Sequence, residues 1–316
     1  MVMQEGDQGR GGEPQHIGKI LTQLQERQAG RSEKTMRGAM TPETKFEECE
    51  CNTCGDKFQG EVFLYTNFKP PREIRTSECQ KCKAEREARE KQERQEKLEQ
   101  ERQQIRGKWR ALANLPQGLQ CTRFEEWDKK RHRHAYEVCL KWAENFDIEN
   151  PRVSQSLLLY SEVPGVGKTS LMVCIANYII DNWKGDPGKA ALPIRFESGP
   201  GLVRRIRNTY NLRKDDESHE REEDIYNQLS GVRILILDDV GKESPSRFTR
   251  EVYWYLINER LTKGLPVLIT SRLPIEGDNS LPELMGVDTV DRIYGMCRGK
   301  YESLKGLSYR KEKKLP

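Results

Sequence analysis

No apolar run in this 316-residue chain reaches the roughly 18 residues that a membrane-spanning helix needs. The N-terminus also lacks a hydrophobic stretch of signal-peptide type. Both absences exclude the commonest membrane and secretory classes and point to a cytoplasmic protein. Apolar residues are scarce, at 35% against 33% charged, and mean hydropathy is −0.86. That is too polar for a uniformly globular chain, so part of the sequence must be solvated helix or tail. Neither sign of charge dominates: 54 basic residues face 50 acidic ones, and the net charge of +4 does not by itself mark a nucleic-acid binder. Histidine is rare, with four in all. Nine cysteines are the exception, and in a reducing compartment they serve as metal ligands or core residues before disulfides.

The composition divides the chain into four segments. Residues 1–45 are rich in Gly, Gln and Arg and read as a flexible arm. Within them Ile17, Ile20, Leu21 and Leu24 keep helical spacing, as a frayed helix or as one that docks on a partner. Residues 46–82 hold five cysteines among Phe58, Phe63, Tyr65 and Phe68 and read as a small zinc module. Residues 83–110 are nearly all Glu, Arg, Lys and Gln. The pairs Glu85–Arg89, Glu87–Lys91, Glu90–Arg94 and Glu93–Lys97 have the acid first at i, i+4, and each supports a helix by a few tenths of a kcal/mol. With no apolar seam, this is a spacer helix of roughly 36 Å rather than a coiled coil. Residues 111–316 form the large domain. Their short apolar strands (Ser156–Tyr160, Ile194–Phe196, Ile234–Leu237, Val267–Thr270) alternate with helices, so the fold class is α/β, a parallel sheet covered on both faces.

Cys51-x-x-Cys54 and Cys79-x-x-Cys82 are two knuckles, each offering two thiolates on one side, as tetrahedral zinc requires. The segment is too short for a core of its own, so the metal would supply the folding energy. Four thiolates close the shell, which makes the site structural. Cys49 is a spare that could replace Cys51 or Cys54. Cys121, Cys139, Cys174 and Cys297 are scattered and read as core or incidental residues.

Gly165-Val166-Gly167-Lys168-Thr169 follows a buried strand and opens a helix, the context of a phosphate-binding loop. Glycines there turn backbone N–H groups toward phosphates. Lys168 would reach the β- and γ-phosphates, and Thr169 would place its hydroxyl on magnesium. The nucleotide-binding stretch is Glu162, Val163, Pro164, Gly165, Val166, Gly167, Lys168, Thr169 and Ser170. The full pattern places Gly where this chain has Glu162, which alters the edge of the loop. Ile234-Leu235-Ile236-Leu237-Asp238-Asp239 is a hydrophobic strand ending in acids. Asp238 would hold magnesium and Asp239 would polarise the attacking water.

Four stretches in order, LLLYSEVPGVGKTSL, LILDDVGKESPS, VLITSRLP and VDRIYGMC, resemble the DnaC/DnaI/IstB-like branch of the AAA+ ATPases, the helicase-loader family, from about Leu119 to Arg310. The resemblance implies an AAA+ P-loop sheet without a C-terminal lid, and an ATPase that assembles with nucleotide. It further implies binding to single-stranded DNA and delivery of a replicative hexameric helicase. It places Thr270 and Ser271 in a sensor strand, where the family usually continues with Asn and this chain has Arg272. It places Arg292, within Asp291-Arg292-Ile293, where the family carries an arginine that reaches a neighbouring subunit's nucleotide. A zinc module ahead of the ATPase resembles the helicase-gripping domains of such loaders, although its aromatic and basic residues also suit DNA. Arg204, Arg205, Arg207, Arg213 and Lys214 are the candidate DNA contacts. Two other functions fit the same ATPase part: a transposition helper, or an adaptor that binds ATP and scarcely hydrolyses it.

Overall fold

The computed structural model describes residues 42–66, 68–128, 130–210 and 220–312. The amphipathic stretch around Ile17–Leu24, and Arg213 and Lys214, lie outside the described residues. The chain divides into two compact units after Arg94.

In the first unit β1 (Glu43–Glu50), β2 (Lys57–Tyr65) and β3 (Arg72–Arg75) form an antiparallel sheet in the order β1-β2-β3. The sequence reading placed no strands here, because the alternation is written largely in Glu, Lys and Arg. Pairs of opposite charge bridge the strands instead, such as Arg75–Glu47 at 3.3 Å, and at the surface each contributes little. Cys49 faces Phe58 across the β1–β2 pairing. A Cβ on Gly60 would come within 2.9 Å of Cys49 Sγ, so glycine leaves room for that thiol.

Helix α1 spans Gln80–Leu112. The i, i+4 ion pairs that close in it are Arg86–Glu90 (2.8 Å) and Arg89–Glu93 (3.8 Å), with the base first. None of the four acid-first pairs closes among the described residues. Arg86 is also drawn back to Glu78 (3.1 Å), and between solvated charges so small a preference is easily outweighed.

From Gln95 onward the chain belongs to the second unit, and the last turns of α1 are packed rather than solvated. Trp109 is buried with its ring centre 4.6 Å from that of the tilted Trp183 ring, Arg102 donates to the Gly185 carbonyl (3.1 Å), and Arg110 pairs with Asp181. The sheet of this unit comprises β4 (Leu157–Tyr160), β5 (Ile194–Ser198), β6 (Ile234–Val240), β7 (Val267–Ser271) and β8 (Glu302–Ser303), all parallel, in the order β5-β6-β7-β4-β8. Its central strands are continuous apolar runs because helices cover both faces. On one face α2 (Arg133–Asn145) and α3 (Lys168–Asn182) pack with Trp109, Phe124 and Trp183. On the other lie α4 (Gly199–Thr209), α5 (Glu222–Gly231), α6 (Arg247–Lys263), α7 (Leu281–Met285) and α8 (Val287–Met296). A short helix, α9 (Tyr309–Glu312), follows β8.

The sequence reading missed α5, whose apolar signal is little more than Ile225 and Leu229. It also missed β8, two residues long. The fully buried Arg260 ties the second face together by donating to the carbonyls of Leu229 (2.6 Å), Val232 (2.8 Å) and Pro266 (2.6 Å). Burial among these carbonyls brings its pKa down to about 9.

Candidate nucleotide site and metal centre

Ligand sites of open parallel sheets lie beyond the carboxyl ends of the strands. Here the ends of β4, β6 and β7 meet one cavity of about 650 Å³. Pro164 through Ser170 line it, together with Asp238, Asp239 and Arg272. Glu162 and Val163 are not among its walls. The Glu162 carboxylate accepts a hydrogen bond from Tyr160 Oη (2.8 Å), which keeps its charge away from the loop. Gly165 (φ 76°) and Gly167 (φ 105°) adopt left-handed backbone that a side chain would strain. A Cβ on Gly167 would also come within 2.5 Å of the Trp127 ring.

Lys168 is 6% exposed, and its ammonium donates to the Ser161 carbonyl at 3.1 Å. Burial lowers its pKa to about 8, against the opposing pull of Asp239. Thr169 Oγ1 donates to both carboxylate oxygens of Asp238, at 2.9 and 3.0 Å, and Thr270 Oγ1 donates to Asp238 Oδ1 at 2.6 Å. Burial raises the Asp238 pKa, and the Thr270 hydrogen bond opposes it. The Asp239 N–H donates to Thr270 Oγ1 (2.9 Å), and its carboxylate pairs with Lys242 at 2.5 Å. Asp239 sits at φ 54°, a conformation costly for a non-glycine residue and held by these contacts. The geometry thus joins Lys168, Thr169, Asp238 and Asp239 around one space, with buried Thr270 behind Asp238. Sequence reasoning missed Lys242, Trp127, Arg131, Tyr309 and Arg310, which also line it. Lys242, one turn past the acids, was the only one with a local signal.

The second candidate centre lies in the first unit. The thiols of Cys51, Cys54, Cys79 and Cys82 lie within 4.8 Å of one another. The turn after β1 supplies the first knuckle, closed by the Gly55 N–H on the Cys51 carbonyl (2.8 Å), and the entry to α1 supplies the second. The Cys79 N–H donates to Cys51 Sγ at 3.3 Å and is the largest influence holding that thiol down, at about 6. The Cys82 thiol is pushed well up, chiefly by its hydrogen bond with Cys54. Four thiols crowded this way repel as thiolates, and a divalent cation at their centre would remove the repulsion; the donor set is compatible with zinc. Cys49 is buried in the sheet and is not one of the four.

The replicative helicase loader DnaC of Buchnera aphidicola subsp. Baizongia pistaciae is 26% identical over 177 residues, or 55% of this chain and 63% of that protein. DnaC of Escherichia coli (strain K12) is 24% identical over 135 residues, 43% of this chain and 49% of that protein. This chain resembles DnaC-type helicase loaders. It spans less than two thirds of the length of these curated relatives. A crystal structure of the DnaC helicase loader is 23% identical, covers 60% of this chain and 100% of that one, and superposes with a TM-score of 0.47. No family model matches the chain.

The residues tied to this DnaC-like reading fall in several places. Arg272 lines the cavity. Arg292 lies on α8, outside the cavity walls, with its guanidinium 5.6 Å from the Trp254 ring centre. Among the DNA candidates, Arg204 is exposed and Arg207 stands over Phe248 at 5.2 Å. Arg205 drops out. Its guanidinium is spent on Glu197 (2.7 Å), Glu220 and Gln228 (2.9 Å), contacts that sequence spacing could not show.

Proposed function

We propose that this chain is an ATPase that loads a replicative hexameric helicase onto single-stranded DNA during replication. The observation that carries the proposal is the Thr169–Asp238–Thr270 hydrogen-bond set beside Lys168, in a chain whose matched relatives are named replicative helicase loaders. In this reading Lys168 leaves the Ser161 carbonyl for the β- and γ-phosphates. Thr169 and Asp238 would hold magnesium, which when bound neutralises charge on those phosphates. Asp239 orients the attacking water, and Arg292 of a neighbouring subunit completes the site. The zinc module grips the helicase, and Arg204 and Arg207 are the DNA contacts that stay available.

Lys168→Ala should weaken ATP binding by about 100-fold or more, as loss of a charge-assisted contact to a buried anion predicts. Asp239→Asn should keep binding and lose turnover. Fluorescent-nucleotide titration and phosphate release measure the two. Unchanged affinity in Lys168→Ala would remove the cavity from consideration. Pull-down from the native host then separates a hexameric helicase from a transposase as partner.

The lowered Lys168 pKa sets a pH dependence. Bound ATP favours the protonated lysine, so above pH 8 the complex holds a proton that the free protein has lost. Affinity should be flat below about pH 7 and fall as pH rises through about 8, approaching tenfold per unit. A flat titration across that range would contradict it.

One pair of observations favours a second reading, a nucleotide-dependent adaptor with little hydrolysis. Asp239 is engaged by Lys242, and Arg272 replaces the sensor Asn. Turnover measured with and without single-stranded DNA decides between switch and enzyme.

A further inference from the structure

The walls of the nucleotide cavity come from two sources. The phosphate loop and the strand ends bring the charged groups Lys168, Asp238 and Asp239, whereas Pro116, Leu119, Thr122 and Trp127 come from the segment that precedes the sheet. That segment has little structure of its own, only the single helical turns Gln117–Leu119 and Phe124–Glu126. Between them the Thr122 N–H donates to the Leu119 carbonyl at 2.9 Å. Helix α3, which opens with Lys168, holds this stretch in place. Asn177 on that helix is fully buried, and its Nδ2 donates to the carbonyls of Gln120 (3.0 Å) and Thr122 (2.8 Å). Asp181, one turn further along, pairs with Arg123 at 2.7 Å, and Tyr178 meets the buried Phe124 edge-on, with ring centres 6.1 Å apart.

Asn177 is not itself a wall of the cavity. Its neighbours Ile175, Ala176 and Ile180 are buried and apolar. An amide in such surroundings is costly unless it is hydrogen-bonded. Here the gain lies on the donor side alone: the two carbonyls take up the amide protons, and Oδ1 has no partner among the described residues. An apolar residue of similar size would leave both carbonyls without their donor and residues 119–122 without their tether. One helix thus carries Lys168 in its first turn and Asn177 about two and a half turns later, so it sets the spacing between the phosphate loop and the Leu119–Thr122 wall. Charged groups suit phosphates, and a wall of apolar groups with few polar ones suits a heterocyclic base.

We propose that Asn177 is a positioning residue for the nucleoside of ATP: it fixes the wall of Leu119 and Thr122 against which base and ribose rest while the phosphates lie on the loop. The inference rests on the reading of the cavity as an ATP site and deepens it. It gives a role in nucleotide recognition to a buried residue that touches no nucleotide and belongs to none of the sequence motifs.

The test uses the full chain and calorimetric titration with ATP, adenosine and inorganic tripolyphosphate. Asn177→Leu should weaken ATP and adenosine alike, by about tenfold, and leave tripolyphosphate within about twofold, because the tether serves the nucleoside alone. Asn177→Gln keeps both donors and should recover part of the loss. In the parent, hydrogen exchange over residues 119–122 should slow with adenosine and stay unchanged with tripolyphosphate. That measurement needs no variant and decides the matter if Asn177→Leu does not fold. Equal loss of all three ligands would make Asn177 a core strut and overturn the proposal, as would parent-like adenosine binding or exchange that adenosine leaves unchanged. Lys168→Ala run alongside keeps the failures apart. If it loses ATP and tripolyphosphate while Asn177→Leu binds ATP and adenosine like the parent, the positioning role is wrong and the ATP site stands. If Lys168→Ala also binds ATP like the parent, the site reading itself has failed.

Discussion

Replacing Cys79 and Cys82 with Ser should abolish the β1–β3 sheet and leave ATP affinity unchanged. The reason lies in what holds the first unit together. All of β3 is exposed, and β1 buries little beyond Cys49. The unit's apolar cluster is Cys51, Cys79 and Cys82 with Phe58 packed against it. A three-stranded sheet with so little buried surface is not stable by itself. Its surface ion pairs contribute little. A metal bound by the four thiols would be the remaining source of folding energy, and such sites commonly unfold without it. Metal analysis should return about one zinc per chain, falling to none in the double variant, with backbone NMR signals of residues 43–75 collapsing toward random coil. Cys49→Ser is the control. It lies outside the cluster and should keep the zinc. The nucleotide cavity is built wholly from the second unit, so nucleotide titration should not register the loss. A sheet that persists after the metal is stripped would show that something other than the thiols folds it.

The parallel sheet was readable because its strands are buried on both faces and are therefore uninterrupted apolar runs, as in Leu157–Leu159 and Ile234–Leu237. The acids at the end of β6 and the glycines after β4 were readable for a related reason: each sits at a fixed step from its strand. What distance in sequence hides was not readable. Arg205 looked like one of a row of available bases, yet Glu197 and Glu220 reach it from β5 and from beyond the described end of α4. The polar strands β1 and β3 gave no hydrophobic period to detect, since their faces are largely solvated. Trp109 lies at the end of the charged run, and its packing against Trp183 marks where the helix becomes core. The walls supplied by Trp127 and Arg310 carry no local signal, because chain segments far from the phosphate loop bring them in.

Arg292→Ala should bind ATP like the parent yet lose the dependence of turnover on protein concentration. In this proposal a second subunit completes the site. Its phosphate loop, Asp238 and Asp239 line an open cavity, and Arg292 is not on its wall. On α8 the guanidinium rests against Trp254, and its Nη1 is buried without a hydrogen-bond partner among the described residues. Reaching a neighbour's phosphate would take the guanidinium off Trp254 and give that donor an acceptor. Charge builds on the γ-phosphate in the transition state, and an arginine supplied by a neighbour is worth roughly 10³ to 10⁵ in rate where such transfer has been measured. Turnover per subunit should therefore rise with protein concentration in the parent and stay about 10³-fold lower in Arg292→Ala. Mixing Arg292→Ala with Lys168→Ala should restore part of the activity, because the first supplies an intact loop and the second an intact arginine. A strut for Trp254 predicts something different: lower stability, equal loss at every concentration, and no recovery on mixing. That pattern, or parent-like turnover in Arg292→Ala, would leave the shared-site proposal without support.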